Sequence, residues 1–207
     1  NPQMKQKIIN VGVIGCGYWG PNLIRNINNS VEANLMWVCD LNTDRLEKTK
    51  KQYPHVNKTT DFIDMLNDPD LDAVVIATPV RSHFDLTMQA LESGKHVLVE
   101  KPMATNINQV KKIGQLANKK NLIAMVGHSF LFNNAVRYVK KLIDNGELGD
   151  IRYIYSQRVN LGRIRNDVDA LWNFAPHDIS IIQYWLNEPQ PLESTLSGMD
   201  SVQKGIN

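Results

Sequence analysis

Residues 8–20 of this 207-residue chain read IINVGVIGCGYWG, and this stretch decides the fold. The first seven residues form an apolar run typical of a buried strand, and Gly15, Gly17 and Gly20 then follow in G-x-G-x-x-G spacing. In this motif the first glycine permits a tight turn, the second lets a diphosphate approach the backbone, and the third lets helix and strand pack closely. The stretch therefore predicts a strand, a turn and a helix whose free N–H groups can bind phosphate.

An acidic residue lies about 20 residues after the glycine motif, as in dinucleotide-binding sites. Asp40 lies 20 residues beyond Gly20, directly after a second apolar run at 35–39. A carboxylate there can accept hydrogen bonds from an adenosine ribose and would repel a 2′-phosphate. We therefore predict dinucleotide binding with NAD as the cofactor rather than NADP, although Arg45 could still reach a phosphate. The alternatives are a purely structural turn or another use of the same fold, such as methyl transfer.

Further apolar runs continue the alternation of strands and helices. They occur near residues 56–58, 73–77, 96–99 and 122–126, with helical patterns between them. Six strands alternating with helices predict an α/β fold with a doubly wound parallel sheet of the Rossmann type. Two of the helices have capping patterns, Ser82-x-x-Asp85 and Asn106-x-x-Gln109.

The pattern changes after Gly127. We predict a dinucleotide-binding domain at residues 1–127 and a partial substrate and oligomerisation domain at residues 128–207. The second region has a helical pattern at 134–145, a β-rich run at 151–155 and a helical pattern at 179–186. Its last residues are too few to bury an independent core.

Composition excludes several classes of protein. Lys and Arg total 23 against 21 Asp and Glu, and this net charge of +2 gives no strong field for nucleic acid or an acidic membrane surface. Hydrophobic residues at 43% and charged residues at 21% exclude wholesale disorder. Cys16 and Cys39 alone cannot build a disulfide framework or a four-ligand zinc site. Without a membrane-span or signal-peptide pattern, we expect a cytoplasmic protein with no metal.

Several polar residues follow predicted strands of the parallel sheet, where its ligand crevice lies. Lys101 follows the fifth strand within Glu100-Lys101-Pro102, and Pro102 restricts the backbone of Lys101. Thr78-Pro79 follows the fourth strand and would lie beside the dinucleotide together with His83. The alternatives are a solvated lysine at a strand end and ordinary turn-forming residues.

The second region contains the remaining candidates. His177 follows Pro176 just before a predicted helix, and a histidine can accept the proton of a hydroxyl while hydride leaves the same carbon. The alternative is a helix-capping pair formed with Asp178. Arg163 and Arg165 could hold a phosphate or carboxylate of a substrate, or could be solvated charges.

Together, the glycine turn, Ala77-Thr78-Pro79, residues 94–102 (GKHVLVEKP) and Pro176-His177-Asp178 resemble the Gfo/Idh/MocA family of NAD(P)-dependent oxidoreductases. The resemblance extends from about residue 7 to residue 189. It implies a Rossmann domain followed by an α/β domain with an open antiparallel sheet, which holds the substrate and commonly the oligomer interface. Family chains are usually much longer, so we expect residues 128–207 to be only part of the second domain.

The resemblance also implies an activity. It is hydride transfer between a nicotinamide cofactor and a hydroxyl-bearing carbon of a sugar, nucleotide sugar or cyclitol, by a protein that forms homo-oligomers at full length. Lys101 and His177 match the family's catalytic residues. Where many members carry an aspartate four residues before the histidine, this chain has Asn173, which can hydrogen-bond a hydroxyl but cannot take its proton. The alternative is a non-catalytic, NAD(H)-binding or truncated member acting as a sensor or partner subunit.

The predicted site residues therefore fall into two sets. The substrate set is Lys101, Asn173, His177, Arg163 and Arg165. The cofactor set is Gly15, Gly17, Tyr18, Trp19, Gly20, Asp40, Thr78, Pro79, His83, Glu100, Lys101 and Trp172.

Overall fold

The computed structural model describes residues 7–159, 169–187 and 190–198. The chain divides into two compact units, Asn1–Gly127 and His128–Asn207. The division falls after Gly127, where the sequence pattern changes. Of the helices described, none is long and apolar enough to cross a bilayer.

One parallel sheet organises the first unit. Its strands are β1 (Ile9–Ile14), β2 (Ala33–Cys39), β3 (Asn57–Thr59), β4 (Ala73–Ile76), β5 (His96–Val99) and β6 (Ala124–Val126). The strand order is β3-β2-β1-β4-β5-β6, and every neighbouring pair is parallel. The chain therefore winds outward from β1 in one direction and from β4 in the other. This confirms the predicted doubly wound sheet and places its switch point between β1 and β4, where ligand crevices form.

Helices connect these strands. They are α1 (Gly20–Asn28), α2 (Thr43–Gln52), α3 (Phe62–Leu66), α4 (His83–Glu92) and α5 (Ile107–Lys120). The cap predicted at Asn106 is present, since its side chain accepts a hydrogen bond from the Gln109 N–H. The capping box predicted at Ser82 is wrong. A 3₁₀ turn (Val80–Ser82) precedes α4, and the Ser82 hydroxyl donates to the carbonyl oxygen of Pro79 instead of capping the helix.

Alternation along the strands builds two apolar layers. On β4, the fully buried Val74 and Ile76 pack into one core cluster and the intervening Val75 packs into the other. Successive strand residues point to opposite faces, so each strand contributes to both layers. The sheet is thus buried on both sides, as parallel sheets require.

The second unit is built on two helices, α6 (Asn134–Asp144) and α7 (Ala170–Trp185), with a 3₁₀ turn (Ser129–Phe132) before α6. The Trp185 indole N–H donates to the carbonyl oxygen of Val136 at 2.9 Å, which ties α7 to α6. The Lys140 ammonium donates to the Asn187 side chain at 2.9 Å.

Two predictions for this unit are wrong. Residues 151–155 form no strand, because no other segment of the unit among the described residues pairs with them, and a strand needs a ladder partner. The helix predicted from 179 begins at Ala170, because the Asp169 side chain caps it by accepting the Trp172 N–H at 2.7 Å. Pro176 therefore lies inside α7 rather than before it.

Candidate active site

The glycine loop joins β1 to α1, and two of its glycines are required by packing. Gly15 has a φ of +101°, and a Cβ there would lie 2.7 Å from the carbonyl oxygen of Ala77. A Cβ at Gly20 would lie 1.9 Å from the carbonyl oxygen of Gly15. Both contacts are with backbone, which cannot move aside as a flexible side chain can. The loop conformation thus depends on glycine at these two positions.

Gly17 differs from its two neighbours. The closest atom to a Cβ there would be the flexible Arg45 Nη1 at 3.5 Å, an ordinary contact distance. Nothing in the described fold therefore requires glycine at this position, whereas a diphosphate that approached the backbone here would require it. Trp19 is the N-cap residue of α1, and its side chain makes no capping hydrogen bond to the described residues. The first turn of α1 contains no acidic residue. The start of α1 therefore suits an anion.

The Asp40 carboxylate contacts the backbone of the glycine loop. It accepts the Cys16 N–H at 2.7 Å and the Asn42 N–H at 2.8 Å, and the Arg45 guanidinium lies 3.7 Å away. The side chain is only 9% exposed. A carboxylate offers about four lone-pair positions, so these two bonds leave acceptor capacity for a ribose hydroxyl.

An open cavity of about 450 Å³ adjoins the loop. It lies between α1 and α2 and has Gly17 at its edge; its basic lining residues are Arg25, Arg45 and Lys48. Among the described residues, none of those lining it is acidic. The charge beside Gly17 is therefore positive, as phosphate binding favours.

The two cysteines are structural. Cys16 and Cys39 are both buried free thiols. Burial raises the pKa of Cys16 to about 11 and that of Cys39 to about 12. Both therefore stay protonated at neutral pH and are poor nucleophiles.

Glu100 connects the glycine loop to Lys101, which follows β5. Burial raises the pKa of the Glu100 carboxyl, and hydrogen bonds from the Lys101 backbone N–H and the Trp19 side chain act in the opposite direction. A Cβ at Gly127 would lie 3.2 Å from the same carboxylate, so Gly127 leaves room for it. Trp19, Glu100 and Lys101 thus come together at the carboxyl ends of β1 and β5. The Lys101–Pro102 peptide bond is cis.

Thr78, Pro79 and His83 surround the end of β4, next to β5. The Thr78 and Ser82 hydroxyl oxygens lie 2.7 Å apart, and Pro79 is exposed. The structure places His83 away from any open surface, since it is 1% exposed and both its ring nitrogens contact backbone carbonyls. Tyr18, in contrast, is 90% exposed on the glycine loop.

In the second unit, the candidates within the described residues lie on α7. Asn173 and His177 are four residues apart and so face the same side of the helix. The pair His177-Asp178 is therefore mid-helix, and the alternative of a helix cap is wrong. Trp172 is also on α7 and is exposed. Arg163 and Arg165 lie outside the described residues.

Sequence reasoning did not find the residues that surround His177. The Phe130 ring meets the His177 ring edge-on, with 4.8 Å between centroids. The Arg158 guanidinium lies 5.1 Å from the Phe130 centroid and donates to both oxygens of Asp178, at 2.9 and 2.8 Å. The Arg158 guanidinium holds the pKa of Asp178 below its usual range. Arg158 and Asp178 are 20 residues apart, and no local motif connects them.

A metal site needs several ligating side chains that lie close together. Across residues 7–159, 169–187 and 190–198, no group of three or more His, Cys, Asp or Glu side chains could hold a metal ion.

The strand order, the glycine loop and the carboxylate after β2 define a dinucleotide-binding Rossmann domain. A sequence model of the oxidoreductase family with an NAD-binding Rossmann fold, Gfo/Idh/MocA, matches residues 9–128. The chain belongs to this family, which confirms the resemblance.

Relatives agree with this assignment. The scyllo-inositol 2-dehydrogenase (NADP(+)) IolW of Bacillus subtilis is 29% identical over 168 residues, which cover 81% of this chain and 46% of IolW. The inositol 2-dehydrogenase of Salmonella typhimurium is 27% identical over 186 residues, covering 87% of this chain and 55% of the relative. The chain thus spans about half the length of these curated relatives.

Solved structures of similar proteins agree with the family assignment. Scyllo-inositol dehydrogenase from Lactobacillus casei with bound NAD(H) and scyllo-inositol is 29% identical, with a TM-score of 0.77 over 86% of this chain and 56% of that one. The WlbA dehydrogenase from Bordetella pertussis in complex with NADH and UDP-GlcNAcA is 26% identical, with a TM-score of 0.76 over 87% of this chain and 56% of that one.

Proposed function

We propose that the protein is an NAD-dependent oxidoreductase that transfers a hydride between nicotinamide and a hydroxyl-bearing carbon of a sugar, nucleotide sugar or cyclitol. The observation that carries this proposal is the connection from Trp19 through Glu100 to Lys101. It joins the loop that suits a diphosphate to the turn that carries the candidate catalytic lysine. A binding module would need the first of these features but not the second.

The residues of the first unit fit NAD. Gly17 and the start of α1 would hold the pyrophosphate, and Asp40 would accept a ribose hydroxyl. Thr78, Pro79 and Glu100 would lie on the nicotinamide side. Bound NAD supplies the acceptor for a hydride. Because Asp40 would repel a 2′-phosphate, we propose NAD as the preferred cofactor.

Lys101 and His177 would divide the work on the substrate hydroxyl. His177 would take the proton as general base while the carbon loses its hydride, which leaves a carbonyl group. The Lys101 ammonium would donate a hydrogen bond to the same oxygen and stabilise the negative charge that develops there. Asn173, on the His177 face of α7, would hydrogen-bond the substrate without accepting its proton. Arg163, Arg165 and Trp172 complete the proposed contacts.

The test separates binding from turnover. Lys101→Ala is expected to lower the rate of nicotinamide reduction by about 10²–10⁴-fold, the usual contribution of acid–base groups, and to leave the NAD dissociation constant within about twofold. The rate is measured as nicotinamide absorbance with inositols, free sugars and nucleotide-linked sugars. Calorimetry gives NAD and NADP binding. Equal losses in rate and NAD affinity would contradict the role of Lys101.

Assembly and compartment are further parts of the proposal. We place the protein in the cytoplasm as a homo-oligomer at full length. Exposed aromatic side chains of the second unit, Tyr153 at 85% and Tyr155 at 78%, support a surface that a second subunit could cover. Light scattering coupled to gel filtration measures the mass, and a monomeric mass at micromolar concentration contradicts this part.

A further inference from the structure

The helix α7 fixes the backbone of His177 but not the direction of its ring. A histidine side chain rotates about two torsions, and each has more than one favourable angle. Pro176, directly before it, lies inside the helix and has no N–H, so it cannot donate the usual helical hydrogen bond to the carbonyl oxygen of Trp172. The Ser180 hydroxyl donates to the carbonyl oxygen of His177 at 2.8 Å, which again involves only the backbone. The orientation of the imidazole therefore depends on its side-chain contacts.

The Phe130 ring makes one such contact. The centroids of the Phe130 and His177 rings lie 4.8 Å apart, and the ring planes make an angle of 61°. Edge-to-face aromatic pairs have centroids roughly 4.5–7 Å apart and are favoured by the ring quadrupole, so this contact is attractive. Phe130 is half-buried and belongs to the 3₁₀ turn at Ser129–Phe132. The contact thus holds the imidazole against a turn that is separate from α7.

A second contact holds the Phe130 ring itself. The Arg158 guanidinium lies over this ring, 5.1 Å from its centroid. A guanidinium within about 6 Å of a ring centroid is attracted to the face of the ring. Phe130 therefore contacts both Arg158 and His177.

Asp178 in turn fixes Arg158. The Arg158 Nε and Nη2 donate to the two carboxylate oxygens of Asp178, at 2.9 and 2.8 Å. Two such parallel bonds fix the plane of the guanidinium as well as its position. The two side chains are only 29% and 22% exposed, so water competes less than at a fully exposed pair. Because Asp178 follows His177 on α7, the contacts form a closed loop through His177, Phe130, Arg158 and Asp178.

We propose that Phe130 and Arg158 are positioning residues for His177. Phe130 orients the imidazole, and Arg158, fixed by Asp178, holds the Phe130 ring in place. The catalytic consequence rests on the proposed role of His177 as general base, whereas the positioning itself does not. A general base must lie within hydrogen-bond reach of the proton that it takes, and a displacement of about 1 Å can lower the rate about 10²-fold.

The chain offers a matched control for both residues. On the same 3₁₀ turn, the Phe132 ring has the Arg137 guanidinium 5.1 Å from its centroid. The pair has the same chemistry and the same spacing as Phe130 and Arg158. Variants of Phe132 and Arg137 therefore control for the loss of an aromatic ring and of a guanidinium at this turn.

The first test is proton–carbon NMR of the histidine rings in the chain without cofactor or substrate. His177 is assigned from the ring signals lost in His177→Asn. Because an aromatic ring shifts the signals of protons close to it, Phe130→Leu should shift the His177 signals. Arg158→Lys keeps the positive charge but loses the planar fork, so it should shift them as well. Phe132→Leu and Arg137→Lys should leave them in place.

Two results would overturn the proposal. Unchanged His177 signals in Arg158→Lys would show that Arg158 does not hold the ring that orients the imidazole. Equal shifts in the Phe132→Leu and Arg137→Lys controls would show a general loosening of the turn. Because nothing needs to bind, this comparison is independent of whether the protein is an oxidoreductase.

The second test asks whether the positioning serves the reaction. In turnover assays, Phe130→Leu and Arg158→Lys should each lower kcat by roughly 10–100-fold and leave the KM for substrate and the NAD dissociation constant within about twofold. Phe130→Tyr, which keeps the ring, should retain most of the activity. The controls Phe132→Leu and Arg137→Lys should leave kcat unchanged.

The double variant tests the route of the effect. If Arg158 acts through Phe130, adding Arg158→Lys to Phe130→Leu should lower kcat no further than Phe130→Leu alone. An undiminished effect of Arg158→Lys in that background would overturn the route through Phe130. If the unmodified protein reduces no nicotinamide, the proposed function fails, and the NMR comparison decides the positioning by itself.

Discussion

The two units hold their candidate functional residues in different ways. In the first unit, Lys101 follows β5, whose position is set by hydrogen-bonded neighbours on both sides and by buried layers on both faces. In the second unit, His177 lies on α7, where the Phe130 ring meets its ring edge-on and the adjacent Asp178 pairs with Arg158. The difference indicates that backbone packing fixes the position of Lys101, whereas side-chain contacts fix the position of His177.

Gly20→Ala should have the largest effect and lower the free energy of unfolding of the first unit. A Cβ there would lie 1.9 Å from a backbone oxygen, and overpacking of this kind lowers the free energy of unfolding by about 3 kcal/mol. Urea unfolding followed by circular dichroism measures the loss. The control is Gly114→Ala in α5, where a Cβ would meet nothing within 4 Å in the described structure. That variant should gain about 0.5–1 kcal/mol instead.

Gly17→Ala should separate the ligand's requirement from that of the fold. Because the nearest contact would be an ordinary 3.5 Å, the free energy of unfolding should change by less than about 0.5 kcal/mol. The NAD dissociation constant should rise about tenfold, equivalent to about 1.4 kcal/mol, because a methyl group would stand where the diphosphate approaches. Calorimetric titration measures it. Unchanged NAD affinity would place the diphosphate elsewhere.

Asp178→Asn tests the side-chain control of the second unit. Arg158 lowers the pKa of the Asp178 carboxyl in the folded protein below its pKa in the unfolded chain. The pair therefore stabilises the fold at pH values above the unfolded pKa, and this stabilisation is lost as the pH falls through the folded pKa. The wild type should exceed the variant by about 1 kcal/mol at pH 7, with the gap closing on acidification. Unfolding at several pH values measures it. The matched control Asp150→Asn removes an exposed pair with Arg152 and should have almost no effect.

Glu100→Gln should show the opposite sign in the first unit, and the smallest effect. Burial raises the Glu100 pKa, so the folded protein binds a proton more readily than the unfolded chain does. The wild type should therefore gain stability relative to the variant as pH falls through the folded pKa. The difference between the two unfolding curves measures it. A difference that shrinks on acidification would mean that the hydrogen bonds from Trp19 and Lys101 outweigh burial.

The sequence predicted the first unit well because its signals are local. Apolar runs located the six strands of the sheet, and the glycine spacing located the loop. Its errors arose where tertiary contacts compete with local ones. The Ser82 hydroxyl contacts Thr78 and Pro79 rather than capping α4, and α4 starts at His83, whose ring bridges two turns.

The second unit was predicted less well. Residues 151–155 have strand-forming residues but no ladder partner among the described residues of the unit. Pro176 was interpreted as a helix boundary, yet Asp169 caps α7 upstream and the helix continues through the proline. Local propensity is a weak guide where the decisive contact is distant in sequence.

The sequence by itself determined the parallel sheet, the glycine loop and the positions of Asp40, Lys101 and His177 along the chain, because strand periodicity and glycine spacing depend on near neighbours. Only the tertiary structure decided what those residues contact. The link from Trp19 to Glu100, the contact of His83 with the Pro102 carbonyl oxygen and the two hydrogen bonds from Arg158 to Asp178 each join residues far apart in the chain. Such pairs form only when folding brings their elements together, and no spacing in the sequence encodes them.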